Sequence, residues 1–374
     1  MRFETYAGVA SIDRTVWNRM AGTASPMMEW EYFFSLEESH SASPDRGYQP
    51  RHLVLLDGDE PLAVAPLFER DRAWVEFGDG GLLELLTEMT GFPFHRGVAG
   101  TIPFTPVPGY EFLHRPDVDG PQVHKLLLEQ IDVLCAEHRY LTSRIYFVAP
   151  AAHHLHAVLR DQGYISLRSD YYLWKNHNYR DFDDFLKTFR STRRTKIKRE
   201  LRSIHDLGID IQMVPGDSAP ASWYADIFRF YLATWNKHMG TELRPFLNED
   251  FFRLLGTEFS HRVRFSAASR AEENLAMAIF YEKAGNLYGR YWGSSEPVPF
   301  LHFATCYYHP IRYAIDNGMH SMDPGFGGEH KLYRGYEISP AYHYIKFHGA
   351  TERRVAYSIL NQIQTQAATG KKDW

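Results

Sequence analysis

A chain of 374 residues, 44% hydrophobic and 15% aromatic, has the length for two domains and enough apolar mass for buried cores, which excludes a disordered protein. Its formal net charge of −5 excludes a general nucleic-acid-coating surface while permitting a local basic site. Two cysteines, Cys135 and Cys306, supply neither a disulfide framework nor a cysteine-based zinc site; Met1 to Trp17 holds no leader-like apolar segment, so a cytoplasmic protein without a membrane span is expected.

Trp17 to Trp30 reads as a short helix, a loop and the start of a second helix, and the apolar residues of Met28 to Glu38 recur at helical spacing. Two β-rich runs follow, His52 to Leu56 and Leu62 to Phe68, separated by the hairpin-turn signal Asp57-Gly58-Asp59-Glu60. Gly78 to Gly109 is rich in glycine and proline and reads as an irregular insertion ending in a proline-stiffened run. Helices are predicted over Val123 to His138 and His154 to Gln162, with strands at Arg144 to Val148 and Tyr164 to Trp174. His153, His154 and His156 invite a zinc reading, but adjacent helical positions diverge and no fourth ligand is evident.

The second half opens on the main basic run, Lys187, Arg190, Arg193, Arg194, Lys196, Lys198, Arg199 and Arg202. On one unbroken helix Arg193 shares the apolar face of Phe182, Leu186, Phe189, Ile197 and Ile204, where it needs an anionic partner. Ser191 and Thr192 can instead cap a restarted helix and change that alignment. Helices at Trp223 to Trp235 and Asn248 to Phe259 precede three β runs, Val263 to Ala268, Leu275 to Tyr281 and Leu287 to Trp292. Alternation puts Tyr288, Arg290 and Trp292 on one side of the last, as a packed stripe or a ligand face. In a helix over Phe300 to Asn317, Phe303, Tyr307 and Ile311 form the core face, while His302, Cys306 and His309 group elsewhere. A metal at that trio lacks a fourth ligand, and His302 facing a cleft is the preferred reading. His320 to Asp323 is a short strand, and Thr351 to Gln366 is a last helix before a polar tail.

Between them lies Asp323-Pro-Gly-Phe-Gly-Gly-Glu-His-Lys-Leu-Tyr-Arg-Gly335. Its glycines permit positive φ and close approach to a ligand. Glu329 and His330 are able to move a proton near neutral pH. Lys331 and Arg334 offer positive charge to a phosphate or carboxylate. Hairpin, helix, parallel strand and loop form an α/β layer with a mixed sheet. The order fits the acyltransferase fold of GCN5-related N-acetyltransferases (GNAT) used twice: residues 1–170 as an N-terminal unit with the insertion, and 171–374 as the unit carrying the main site. Ligands then sit at the carboxyl ends of the parallel strands, where Arg290, His302, Glu329 and His330 are expected to converge.

The chain resembles the FemAB-like predicted N-acyltransferases, often labelled peptidoglycan biosynthesis/recognition proteins, from about Trp17 to Phe347. The resemblance rests on Gly47 to Leu53, Pro103 to Gly109, Tyr179 to Leu186, Gly289-Arg-Tyr-Trp-Gly293, His302 to Tyr308, and Gly328-Glu-His-Lys331 with Arg334-Gly335. It implies a tandem GNAT-like, Fem-like fold and transfer of an acyl or aminoacyl group to an amine. Thr105 and Tyr291, inside matching runs, join Arg290, Lys331, Arg334, Gly327 and Gly328 as expected substrate-binding residues. Ala304 stands where the family pattern has an acid, Leu173 where it has a histidine, and Phe94-His-Arg-Gly97 replaces a tyrosine-rich run.

The expected chemistry is direct transfer. His302, Glu329 or His330 takes the proton of the attacking amine, and the Gly327 and Gly328 amides hold the oxyanion. No nucleophilic triad is readable, and no metal or tightly bound cofactor is expected. Gly293 to Pro299 lacks the coenzyme A turn of many GNAT enzymes, which weakens acyl-CoA as donor and leaves aminoacyl-tRNA, with Arg193, Arg194, Lys196 and Arg199 as its contacts. The expected acceptor is a small-molecule or peptide amine. The alternative is a non-catalytic protein of the same fold that binds RNA or an anionic glycan.

Overall fold

The structure is a computed structural model in which residues 1–71 and 77–369 are described. The chain forms two compact units, one of Met1–Ala24, Ala42–Ser169 and the chain from Ala341 onward, the other of Ser25–Ser41 and Asp170–Pro340. Relative to the expected division after residue 170, Ser25–Ser41 joins the second unit and the segment from Ala341 joins the first. Ser25–Ser41 is held in its unit by packing and charge. Tyr32 meets the Phe251 and Tyr281 rings edge-on at 5.7 and 5.4 Å. Glu29 is buried, which disfavours its charge, yet Arg262 and Lys283, each 2.8 Å away, hold it below the usual carboxylate range.

In the first unit, Arg2–Tyr6, His52–Asp57, Glu60–Ala65 and Leu113–His114 make a four-stranded antiparallel sheet. The expected hairpin is present, turning at Gly58, but it stops at Ala65. Leu67–Arg70 is a separate strand that pairs with Gly97–Gly100 in a second sheet. Gly97–Gly100 runs parallel to Thr142–Val148, with the helix Gly120–His138 between them in sequence. The stretch read as an irregular insertion therefore holds the helix Leu82–Thr90 and a central strand. Its glycines serve close packing: a Cβ on Gly97 would lie 1.9 Å from the Thr142 carbonyl oxygen. His156 is a core residue, bonded to the Tyr344 hydroxyl (2.7 Å) and the Ala149 carbonyl (3.0 Å), while His153 and His154 are exposed. The last helix spans Ala350–Thr369, and the end of the polar tail read after it lies outside the described residues.

In the second unit the sheet order is Asp210–Pro215, Val263–Arg270, Glu273–Lys283, Asn286–Ser294, Ser321–Asp323, then residues 174–175 of the strand Ile165–Lys175. Asn286–Ser294 and Ser321–Asp323 are parallel over Asn286↔Ser321, Leu287↔Met322 and Tyr288↔Asp323, and no pairing continues beyond. The crossing helix between them, 301–316, packs Tyr307, Ile311 and Ala314 into a buried cluster with Trp174, Phe185, Leu287 and Met322. It contains a π turn at Ala304–Tyr308. Pro310 lacks the N–H that would reach back to the Cys306 carbonyl, so the α-helical ladder is loosened there.

The basic run forms two helices, Phe182–Lys187 and Ser191–Asp206. The restart at Ser191 overturns the unbroken-helix alignment. Arg193 is half-buried with its guanidinium 4.9 Å from the Tyr333 ring, and the buried charge on this helix is Glu200, which accepts a 2.6 Å bond from the Tyr308 hydroxyl.

Candidate active site

Where the parallel strands stop pairing, the backbone opens on a cavity of about 400 Å³ within the second unit. A bulge shapes one wall: Ala278 faces Trp292 and Phe280 faces Gly289, so Arg290 and Tyr291 together oppose Ile279. Alternation from sequence put Tyr288, Arg290 and Trp292 on one side. The bulge breaks that alternation, so Arg290, Tyr291 and Trp292 all line the cavity and Tyr288 does not. Close backbone approach makes the corner. A Cβ on Gly325 (φ 86°) would lie 3.2 Å from the Gly289 carbonyl oxygen.

The crossing helix supplies His302, Cys306 and Tyr307, and the loop after Asp323 supplies Gly325 to Gly328, His330 and Lys331. His302 lies among aromatic rings, 4.9 Å from Trp292 and 5.3 Å from Tyr307. Burial, reinforced by the charges of His330, Arg334 and Lys331, pulls its imidazole down to about 4, so it is neutral at pH 7. His330 stands at the rim with Nε2 3.2 Å from the Tyr307 hydroxyl, and burial followed by Arg334 and Lys331 also lowers its proton affinity. Lys331 Nζ donates to the carbonyls of Gly325 (2.7 Å) and Phe326 (3.2 Å), and burial brings its ammonium down to about 8. Arg334 stacks 3.4 Å over the Phe303 ring and donates to the His330 carbonyl at 2.9 Å. Asp323 is buried beneath the loop. It accepts from the Tyr171 hydroxyl (2.8 Å) and the Gly325 amide (2.7 Å), and burial pushes its carboxyl up to about 6.

Arg290, Tyr291, His302, Gly327, Gly328, His330 and Lys331 thus share one cavity. Glu329 does not join them. It is exposed and outside the lining, because the tight turn Glu329–Arg334 sends neighbouring side chains in different directions. Arg334 borders the site through His330 and Phe303 rather than lining it. Thr105 belongs to the first unit, where it accompanies Tyr48, Phe104 and Tyr146. Arg193 and Arg194 are half-buried and Lys196 and Arg199 exposed on the helix Ser191–Asp206. His309 is absent from the lining that holds His302 and Cys306, and among the described residues no three His, Cys, Asp or Glu side chains group as a metal set.

Sequence reasoning missed Tyr231 and Thr234, from the helix Ser222–Met239, and Tyr307. All three read as helix residues of unremarked or core character, and only the π turn and the neighbouring His330 mark Tyr307 as more. Ala304, the position of a family acid, is buried with Ile204, Ile209 and Leu301, away from the lining. Leu173 likewise lies outside it.

The parallel strand pair thus opens on a cavity lined by two imidazoles, glycine backbone and a guanidinium. The chain belongs to the FemAB-like family, described as peptidoglycan biosynthesis/recognition, whose model matches residues 8–373. Solved structures share the fold. FemX aligns with a TM-score of 0.54 at 9% identity over 93% of this chain and 98% of that one. A conserved protein of unknown function from Bacteroides thetaiotaomicron aligns with a TM-score of 0.54 at 9% identity over 93% and 100%. The C-terminal domain of a predicted lysylphosphatidylglycerol synthetase from Agrobacterium fabrum aligns with a TM-score of 0.52 at 12% identity over 95% and 97%. No curated protein matches the sequence. Among the described residues no helix is long and apolar enough to cross a membrane.

Proposed function

We propose that the protein transfers an aminoacyl group from aminoacyl-tRNA to an amine, forming an amide, with the cavity of the second unit as the reaction site. The observation that carries this reading is the shared lining of Arg290, His302, Gly327, Gly328 and His330. The amine nitrogen attacks the ester carbonyl carbon and a C–N bond forms. The C–O bond to the tRNA ribose breaks, and the ribose oxygen leaves with a proton. His330, neutral at pH 7 and bonded to Tyr307, takes the ammonium proton, and His302 is a second neutral imidazole in reach of the same space. A positioned base contributes roughly 10²–10⁴-fold in rate. The amides of Gly327 and Gly328 are the donors proposed for the oxyanion.

The tRNA donor is favoured by the basic side chains on Ser191–Asp206, which approach the cavity loop where Arg193 meets Tyr333. Acyl-CoA is the competing donor. A cytoplasmic location, where charged tRNA is found, belongs to the same reading. The purified protein is incubated with charged tRNA or acyl-CoA and amine acceptors, and the amide product is sought by mass spectrometry. Product from charged tRNA supports the reading, product from acyl-CoA alone moves the donor, and an unchanged acceptor with both removes the proposal.

A further inference from the structure

Three cations stand at or beside the cavity, and of these Arg290 and Lys331 line it. Lys331 Nζ is bonded to the carbonyls of Gly325 and Phe326. Arg334 is bonded to the His330 carbonyl and stacked on Phe303, its Nε buried without a hydrogen-bond partner among the described residues, and it stays outside the lining. Arg290 is the guanidinium that lines the cavity, and its buried Nε and Nη1 have no hydrogen-bond partner among the described residues. Asp323, the carboxyl group that also acts on it, directs Oδ1 to Tyr171 and Gly325. Burial opposes the charge of Arg290, but the surrounding phenols of Tyr291, Tyr171 and Tyr32 and the Asp323 carboxylate raise its proton affinity, so it stays cationic. A guanidinium in this state is stabilised by an anion that accepts from its planar edge.

Charge and size select the anion. One guanidinium in the lining, beside a lysine held by two carbonyls, matches one negative charge, whereas a phosphate carrying more than one calls for a second free cation. A cavity of about 400 Å³ is also at the small end of ligand pockets, which run to about 1,000 Å³. An aminoacyl ester has no free α-carboxylate, so the carboxylate belongs to the acceptor. We infer that the acceptor is an amino carboxylate, an amino acid or short peptide, whose carboxylate pairs with Arg290 while its amine reaches the His302 and His330 side of the same cavity. This inference rests on the proposed transfer reading but is tested by binding alone.

Isothermal titration of the full chain uses L-alanine, D-alanine, L-phenylalanine and glycylglycine, each against its carboxyl-amidated form, with inorganic phosphate as competitor. At least one acid is expected to bind saturably, about 30-fold or more tighter than its amide. Arg290→Met removes that preference, Arg290→Lys retains part of it, and melting curves check that both variants fold. The wild-type acid-to-amide comparison stands even if the variants do not fold. Equal binding of acids and amides, saturable binding by none of the acids, or phosphate outcompeting every acid overturns the inference. Acid-selective binding without turnover leaves it standing and removes the transfer reading. Turnover with amides as good as acids does the reverse.

Discussion

Replacing Gly293 by alanine tests how the sheet and its covering helix set the cavity. The strand Asn286–Ser294 and the helix Ser222–Met239 touch at this residue. An added Cβ would lie 1.9 Å from the Phe230 carbonyl oxygen, 2.3 Å from its carbon and 2.8 Å from Thr234 Oγ1. Carbon contacts relax at about 3.5 Å or more, so helix and strand must separate by roughly 1.2–1.6 Å. Overpacking of this kind costs about 1–3 kcal/mol. At about 2–4 °C per kcal/mol for a unit of this size, the melting temperature falls by about 2–12 °C. The same helix carries Tyr231 and Thr234 into the cavity, so the displacement reaches the reacting groups. Misplacement on the order of 1 Å lowers a rate by about 10²-fold. Thermal melts and transfer assays on Gly293→Ala are compared with Gly318→Ala. Gly318 has φ 61° with open space around a Cβ, so its alanine variant loses stability from backbone strain alone, about 1–2 kcal/mol, with full activity. Wild-type melting and activity in Gly293→Ala would refute the packing argument.

Tyr307→Phe removes the 3.2 Å contact to His330 and is expected to slow transfer by about tenfold or more, with a changed pH profile and an unchanged melting temperature. A slowing that is identical at every pH speaks against a Tyr307–His330 unit. Burial pulls His124, His302, His309, His343 and His348 each down to about 4. These imidazoles bind fewer protons folded than unfolded between pH 4 and 6.5, so their stabilisation is complete above pH 6.5 and is lost as pH falls towards 4. Denaturant melts across that window should show a steep acid loss, and a flat profile contradicts the burial. Asp323 has the opposite sign. Its folded carboxyl, raised from 3.8 to about 6, holds its proton longer than the unfolded one, so its contribution falls by about 3 kcal/mol as pH rises from 4 past 6. Asp323→Asn should remove that component, so the stability difference between wild type and variant shifts in favour of the variant as pH rises. A pH-independent difference rejects the assignment.

The strand–helix–strand block from Leu275 to Asp323 was legible because β alternation, the turn at Glu282 to Asn286 and a periodic helix ending at Gly318 point to one topology. The bulge at Arg290 and Tyr291 was not, because an extra residue in one strand leaves the residue types unchanged while shifting every side chain after it. The π turn at Ala304–Tyr308 was hidden in the same way, so Tyr307 read only as core. Gly97–Gly100 reads as loop because its glycines look like turn residues, although contact with Thr142 at Gly97, and with Tyr110 and Ile145 at Gly100, is what excludes a side chain at those two positions. Glu329 was grouped with His330 by adjacency in sequence, which a tight turn does not convert into adjacency in space.

The most direct test of the account is transfer from charged tRNA by the wild type and by the double variant His302→Gln, His330→Ala, both confirmed folded by their melting curves. The account predicts amide product from the wild type and a loss of about 10²-fold or more in the variant. A folded double variant that forms product at the wild-type rate would contradict it.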